Sequence, residues 1–359
     1  MKEGWEYKTL EESCNIDYGT RVVQKKDNGS TYFVYGGGGA TFMIDRYNRE
    51  DCFIVSRFAM SPKCTRFVKG RFFLNDSGLS VSTNSGYLSQ RFLDKALLAN
   101  NDKIYSMGKG MAQRNLDMPS FKKLQIPIPP LPEQQKIVEE LDLLSSIIEK
   151  KKEQLKELDN LAQSIFYDMF GDPVTNEIVS LSDVVEIKSS LVSPSELPYS
   201  EMLHVSPANI ISGTGEIINC IRAKDENLIS GKYTFSQGDI LYSKIRPNLN
   251  KVAIPNFSGI CSADMYPLSV KEKVNNVYLW RLLLSKDFLE YAIKHSGRAR
   301  MPKLNREALF SYKFMFPPIG LQNQFASKIE TIEQQKELVK QSIKEVETLF
   351  NSRMDYYFN

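Results

Sequence analysis

Residues 126–142 read IPIPPLPEQQKIVEELD, and residues 314–330 read FMFPPIGLQNQFASKIE. Shifting the chain by 188 residues lays Pro129-Pro130 on Pro317-Pro318 and Gln134 on Gln322, with no gap through to the last residue. Downstream of each proline pair the apolar residues advance in alternating steps of four and three. In the first copy they are Ile137, Leu141, Leu144, Ile148, Leu155, Leu158, Ala162, Ile165 and Met169, with Lys151 interrupting. In the second they run from Phe325, Ile329 and Ile332 through Lys336 and Val339 to Phe350 and Tyr357. Such 3.5-residue periodicity predicts two helices that pair as a coiled coil, each of about 33 residues or roughly 50 Å. Pro127, Pro129 and Pro130 hold the preceding chain extended. Pro132 suits the first helical turn, where a missing N–H costs nothing, and Glu133 complements the positive end of the helix dipole. The stretch therefore reads as a stiff corner that fixes the angle at which a helix leaves a globular domain. Gly320 replaces Pro132 in the second copy, so that corner is expected to be looser. Gly171 and Pro173 mark the end of the first helix. The two interrupting lysines are expected to set helix register or to extend their stems to water.

The chain of 359 residues has room for two domains with connecting elements. Its 42% hydrophobic and 25% charged content is that of an ordinary soluble protein, and no apolar run approaches a membrane span. Five cysteines without a CxxC pair argue against a disulfide framework or a zinc site and for a reduced, cytoplasmic protein. The net charge is only +3, but it is unevenly distributed. Residues 1–128 carry 19 Lys/Arg against 13 Asp/Glu, and residues 172–316 carry 17 against 15. Residues 129–171 carry 5 against 9, and residues 317–359 carry 5 against 6. Two positive blocks joined by slightly acidic helices suit two modules that face a polyanion.

The blocks resemble each other. CFIVSRFA (52–59) echoes DILYSKIR (239–246), and GKGMAQRNLDMPSFKKLQI (108–126) echoes GRARMPKLNREALFSYKFMF (297–316). Both blocks read as short strands with an apolar helical stretch, FLDKALLAN (92–100) and VYLWRLLLSKDFLEYAIK (277–294). The expected fold is α+β: two globular domains, residues 1–128 and 172–316, held apart by two long antiparallel helices, residues 129–171 and 317–359, with an internal pseudo-twofold duplication.

On the PPLPEQ corner, the helix ending AQSIFYDMFGDP (162–173) and the repeated domain–helix layout, the chain resembles the specificity subunits of type I restriction–modification systems, HsdS-like proteins, over essentially its whole length. The resemblance implies that each globular segment is a target recognition domain reading one half of a split double-stranded DNA site. The helices would space the halves and dock two methyltransferase subunits, and restriction/motor subunits could join them. S-adenosylmethionine, ATP and Mg would then belong to the partner subunits, with no cofactor, metal or catalytic residue in this chain. Gly320 and Leu321, where the first copy has Pro132 and Glu133, depart from the corner pattern.

Lys and Arg would supply affinity at phosphates and discrimination at base edges. The richest basic stretch holds Lys294, His295, Arg298, Arg300, Lys303 and Arg306 without an acid, and its first-half counterpart holds Lys109 and Arg114. A second pair of candidates is Arg57 with Lys244 and Arg246, each at the end of a predicted strand. Lys63, Arg66, Lys69 and Arg71 read as solvated surface. Gly36 to Gly39 has no phosphate-loop continuation and reads as a turn or a recognition loop; His204 to Ile210 aligns with it. His204 and His295 have no Cys or acid near them in sequence for triad or metal work, and Ile128 and Phe316 replace the acid or amide of an amino-methyltransferase motif. An enzyme is therefore disfavoured. A coiled-coil scaffold that binds only protein is the remaining competitor.

Overall fold

A computed structural model describes residues 4–111, 113–172, 177–187, 190–297 and 300–359. Its contacts form two compact units, one comprising Met1–Lys152 with Gln341–Asn359, the other Glu153–Lys340. The long helices span Leu131–Phe170 and Ile319–Phe358, so their bounds also differ by 188 residues. Each unit holds one segment of each helix.

In the first unit a six-stranded sheet runs in the order Cys14–Tyr18, Gly78–Thr83, Arg49–Ser56, Thr65–Leu74, Tyr32–Gly36, Gly39–Ile44. All pairs are antiparallel except Tyr32–Gly36 with Thr65–Leu74. Helices Gln90–Ala99, Asn101–Ser106 and Met118–Lys122 complete the unit, and Phe92, Leu93, Leu97 and Phe121 are fully buried among them.

The second unit repeats this register. Ser56 faces Gly78 as Ser243 faces Met265, and Tyr35 faces Leu74 in parallel as Val205 faces Cys261. The long strand Thr65–Leu74 corresponds to two short ones, Val252–Ala253 and Gly259–Cys261. Pro255 lies between them, and a proline cannot donate to a ladder. One six-stranded sheet is thereby replaced by two four-stranded sheets.

Each corner is built alike. Glu6–Thr9 pairs with Gln125–Ile128, and Ile178–Ser180 with Lys313–Met315; the later strand of each pair runs into the prolines. Gln134 and Gln322 are fully buried just inside the helices. Gln134 Nε2 donates to Pro129 O (2.8 Å), and its Oε1 accepts from Ser89 N (2.8 Å). Gln322 Nε2 donates to Pro317 O (2.7 Å), and its Oε1 accepts from Asn275 N (2.9 Å). Ser89 and Asn275 are the N-caps of the main helix of their respective units. One amide thus ties the proline turn, the long helix and the globular helix together. The second corner is not loosened by Gly320: its helix starts at the equivalent residue, and the glutamine supplies the restraint expected of Pro132.

Within the first unit the helix segments run antiparallel, Glu140 meeting Arg353 and Lys152 meeting Glu347. Within the second, Asp159 meets Lys336 and Phe166 meets Phe325. The seam follows the expected residues through Ile148 and Ala162, but the buried positions near the helix ends are Phe166 and Phe170, and equivalently Met354 and Phe358. Ile165, Met169 and Tyr357 are only partly buried. There the helix leaves its partner and packs into the globular core, so the 3.6-residue period replaces the 3.5-residue one. The same packing carries each helix to 40 residues, about two turns beyond expectation.

Lys336 is buried rather than reaching water. Its Nζ lies 2.8 Å from Asp159 and 3.0 Å from Glu333, which also accepts from the buried Arg281 (2.9 Å).

Candidate nucleic-acid interface

In both units the strand carrying a buried serine ends at a cation. Ser56 Oγ donates to Gly37 O (2.7 Å), and Ser243 Oγ to Ile245 O (3.1 Å). Arg57 N donates to Ser77 O (2.8 Å), and Leu116 N to Arg57 O (2.8 Å). Lys244 has the equivalent bonds: its N donates to Asp264 O (3.0 Å), and its O accepts from Leu304 N (2.8 Å). The backbone therefore brings together two stretches that the sequence offers as separate candidates. In the first unit Met60 N donates to Arg114 O and Ala59 N to Asn115 Oδ1, placing Arg114 beside Arg57. In the second, Arg246 N donates to Pro302 O, and Ile245 bridges Lys303.

The side chains differ more than the backbones. Arg57 is partly exposed, 4.5 Å from the Tyr18 ring centroid and 4.5 Å from that of Phe58. Arg114 is exposed over Tyr105 (4.8 Å). Lys109 is exposed but pairs with Asp117 (2.9 Å), which also caps the helix Met118–Lys122. The Ser120 hydroxyl and Lys109 hold that carboxyl below its ordinary value. Lys244 is buried, 5.0 Å from Tyr266 and 5.9 Å from Tyr233. Burial, with the nearby charge of Lys303, pulls its ammonium below the usual lysine value. Arg246, Arg300 and Lys303 are exposed around it. Lys294 and His295 end the helix Lys286–His295, favourably for its dipole, and His295 stacks on Tyr291. Arg298 lies outside the described residues. Arg306 rests on Phe310, away from any acid among the described residues.

The glycine run is a tight turn packed against its neighbours. A Cβ on Gly37 would stand 2.3 Å from Phe58 O, and one on Gly36 2.4 Å from Ser77 Oγ. Ser206–Asn209 takes the equivalent place, closed by Asn209 Oδ1 accepting from Ser206 N. Arg66 donates to Gly37 O and Lys63 O, and Arg71 pairs with Glu50, so both serve the fold.

One pairing escaped the sequence: His204 Nδ1 lies 2.8 Å from Glu226. Its Nε2 is buried without a hydrogen-bond partner, so the pair has no nucleophile to activate among the described residues. Burial pulls His204 below the ordinary imidazole value, against the opposing effect of Glu226. All five thiols are free, and burial pushes Cys14 and Cys261 up to about 12. Among the described residues, no helix is long and apolar enough to cross a membrane. Tyr18, Phe58, Tyr233 and Tyr266, which support the cations, carried no sequence signal; three of them lie well away from the cation in the chain.

The type I restriction modification DNA specificity domain matches residues 2–159 and again residues 173–348. The chain belongs to this family. It is 27% identical over 283 residues to the type I restriction enzyme EcoDI specificity subunit of Escherichia coli, covering 68% of this chain and 63% of that protein. With the MjaVIII specificity subunit of Methanocaldococcus jannaschii it shares 22% identity over 312 residues, covering 77% and 73%. The fold resembles a crystal structure of a type I restriction–modification S subunit from M. genitalium (TM-score 0.56, 14% identity, 99% and 96% of the two chains). A chain from a structural study of type I system assembly and conformational transition gives a TM-score of 0.58 at 16% identity, covering 100% and 98%. The two matched segments of the specificity domain coincide with the duplication read from the proline corners.

Proposed function

We propose that this chain is the non-catalytic, sequence-specific DNA-recognition subunit of a type I restriction–modification complex in the cytoplasm. Each globular unit reads one half of a bipartite site, and the helices set the unread spacer and dock two methyltransferase subunits. Restriction/motor subunits complete the assembly where they are present, and S-adenosylmethionine, ATP and Mg act in the partner subunits. The observation that carries the reading is the duplicated tip: in each unit the same backbone bonds hold a cation at a strand end beside a second loop carrying exposed Arg or Lys. Docking of two like partners is supported by apolar side chains exposed at repeat-equivalent helix positions, Leu131 with Ile319 and Leu161 with Leu349.

The test is a map of methylated bases in the native host with the gene intact and deleted. Loss of methylation at one split motif with a fixed gap is the expected result; an unchanged map argues for the protein-binding scaffold. With the purified complex, binding to duplex DNA should fall with salt along a logarithmic slope of several units. A scaffold would show no such slope.

A further inference from the structure

We propose that Arg57 reads a guanine in the half-site of the first unit, whereas Lys244, at the equivalent backbone position, supports its loop without touching a base. The inference rests on the DNA-recognition reading above and assigns different roles to two residues that the fold makes equivalent.

Both residues follow a buried serine, and both are fixed by one bond from their N–H and one to their carbonyl. The Cα is thus placed independently of the side chain. Arg57 then extends past two aromatic faces, Tyr18 and Phe58, with ring centroids 4.5 Å from the guanidinium carbon. Among the described residues no acid, carbonyl or hydroxyl accepts from its guanidinium. A planar fork supported by rings, with its donors free, is suited to paired donation to the O6 and N7 acceptors of guanine in the major groove. A phosphate contact requires charge but no fixed plane.

Lys244 has neither property. It is buried, its ammonium lies against Tyr266 and Tyr233, and a lysine presents a point charge rather than a fork. In that unit the accessible cations are the flanking Arg246 and Lys303.

The test uses the full chain assembled with its methyltransferase subunits and a randomised duplex library. If the wild-type complex selects no split motif, the recognition reading itself fails, and the assignment of Arg57 falls with it. If it does select one, Arg57→Gln and Arg57→Lys should each lose discrimination at a single G·C pair by about ten- to a hundredfold. Gln should shift that position towards A·T, because its amide matches adenine. The other half-site and the spacer should remain as in the wild type. The lysine variant keeps the charge and checks that the effect is not one of folding. Uniform weakening on all sequences, with the salt slope about one unit shallower, would mean a phosphate contact and overturn the proposal. An unchanged motif, or altered selection in both halves, would overturn it as well.

Discussion

Gln134 is fully buried, and its side chain makes three hydrogen bonds, to Ser89 N, Tyr87 O and Pro129 O. Truncating it strands one donor and two acceptors away from water. Gln134→Ala is therefore expected to lower stability by about 2–3 kcal/mol, read as a fall in Tm. A change within error would mean that the corner is held by its prolines alone. The alignment of Gln134 on Gln322 was visible in the sequence, but the role was not, because the partners Ser89 and Asn275 share no residue type and lie about 45 residues upstream. Asp94 offers a second test. Burial pushes its carboxyl up to about 6, against a hydrogen bond from Gln90. The folded chain thus holds this proton longer than the unfolded chain. The stability involved is present below about pH 4 and is lost as the pH rises through about 6. Asp94→Asn keeps an acceptor for Gln90, so it should raise Tm at pH 7 by the equivalent of about 1–2 kcal/mol and flatten the curve of Tm against pH across that window. A lower Tm at pH 7 would show that the ionised form is stabilised in place.

At the scale of elements, the seam shows how far periodicity reaches. The alternating steps of four and three located both helices and most buried positions. They failed near the helix ends, where Phe166, Phe170, Met354 and Phe358 are buried in place of their neighbours. Heptad reasoning assumes a helical partner, and there the partner is a globular core. Lys336 was visible as an interruption, but its partners were not, since Asp159 comes from the other helix and Arg281 from the globular domain. The repeat-equivalent position in the first helix is Ile148, which is buried without charge. Lys336→Ile alone should nevertheless destabilise, by about 1–3 kcal/mol, because Asp159 and Glu333 would face each other without the ammonium. Adding Asp159→Ala should recover part of that loss. Denaturation midpoints of the two variants decide it, and equal midpoints would mean that Lys336 acts alone.

At the scale of the molecule, duplication was legible because the proline corners carry a strong local pattern. The composition of each unit was not legible. Four linear segments are the natural reading of domain, helix, domain, helix, yet the first unit takes its last 19 residues from the end of the second helix. Met354 and Phe358 lie in the same buried cluster as Phe92, Leu97, Ile137 and Leu141. Truncation after Lys340 should leave that cluster uncovered, giving a product that binds a hydrophobic dye or self-associates. The same truncation should leave the cluster around Phe166, Tyr278 and Phe325 protected from hydrogen exchange. A monomeric, dye-negative fragment would show that the returning segment is dispensable.

This interleaving sets an order of events during synthesis. The ribosome releases the first recognition unit early, but its core lacks residues 341–359 until the very end of translation. The second unit is contiguous and has all its residues about 19 codons earlier. The half made first is thus completed last, and nascent chains arrested at residue 340 should resist protease in the second half while the first half is still cut.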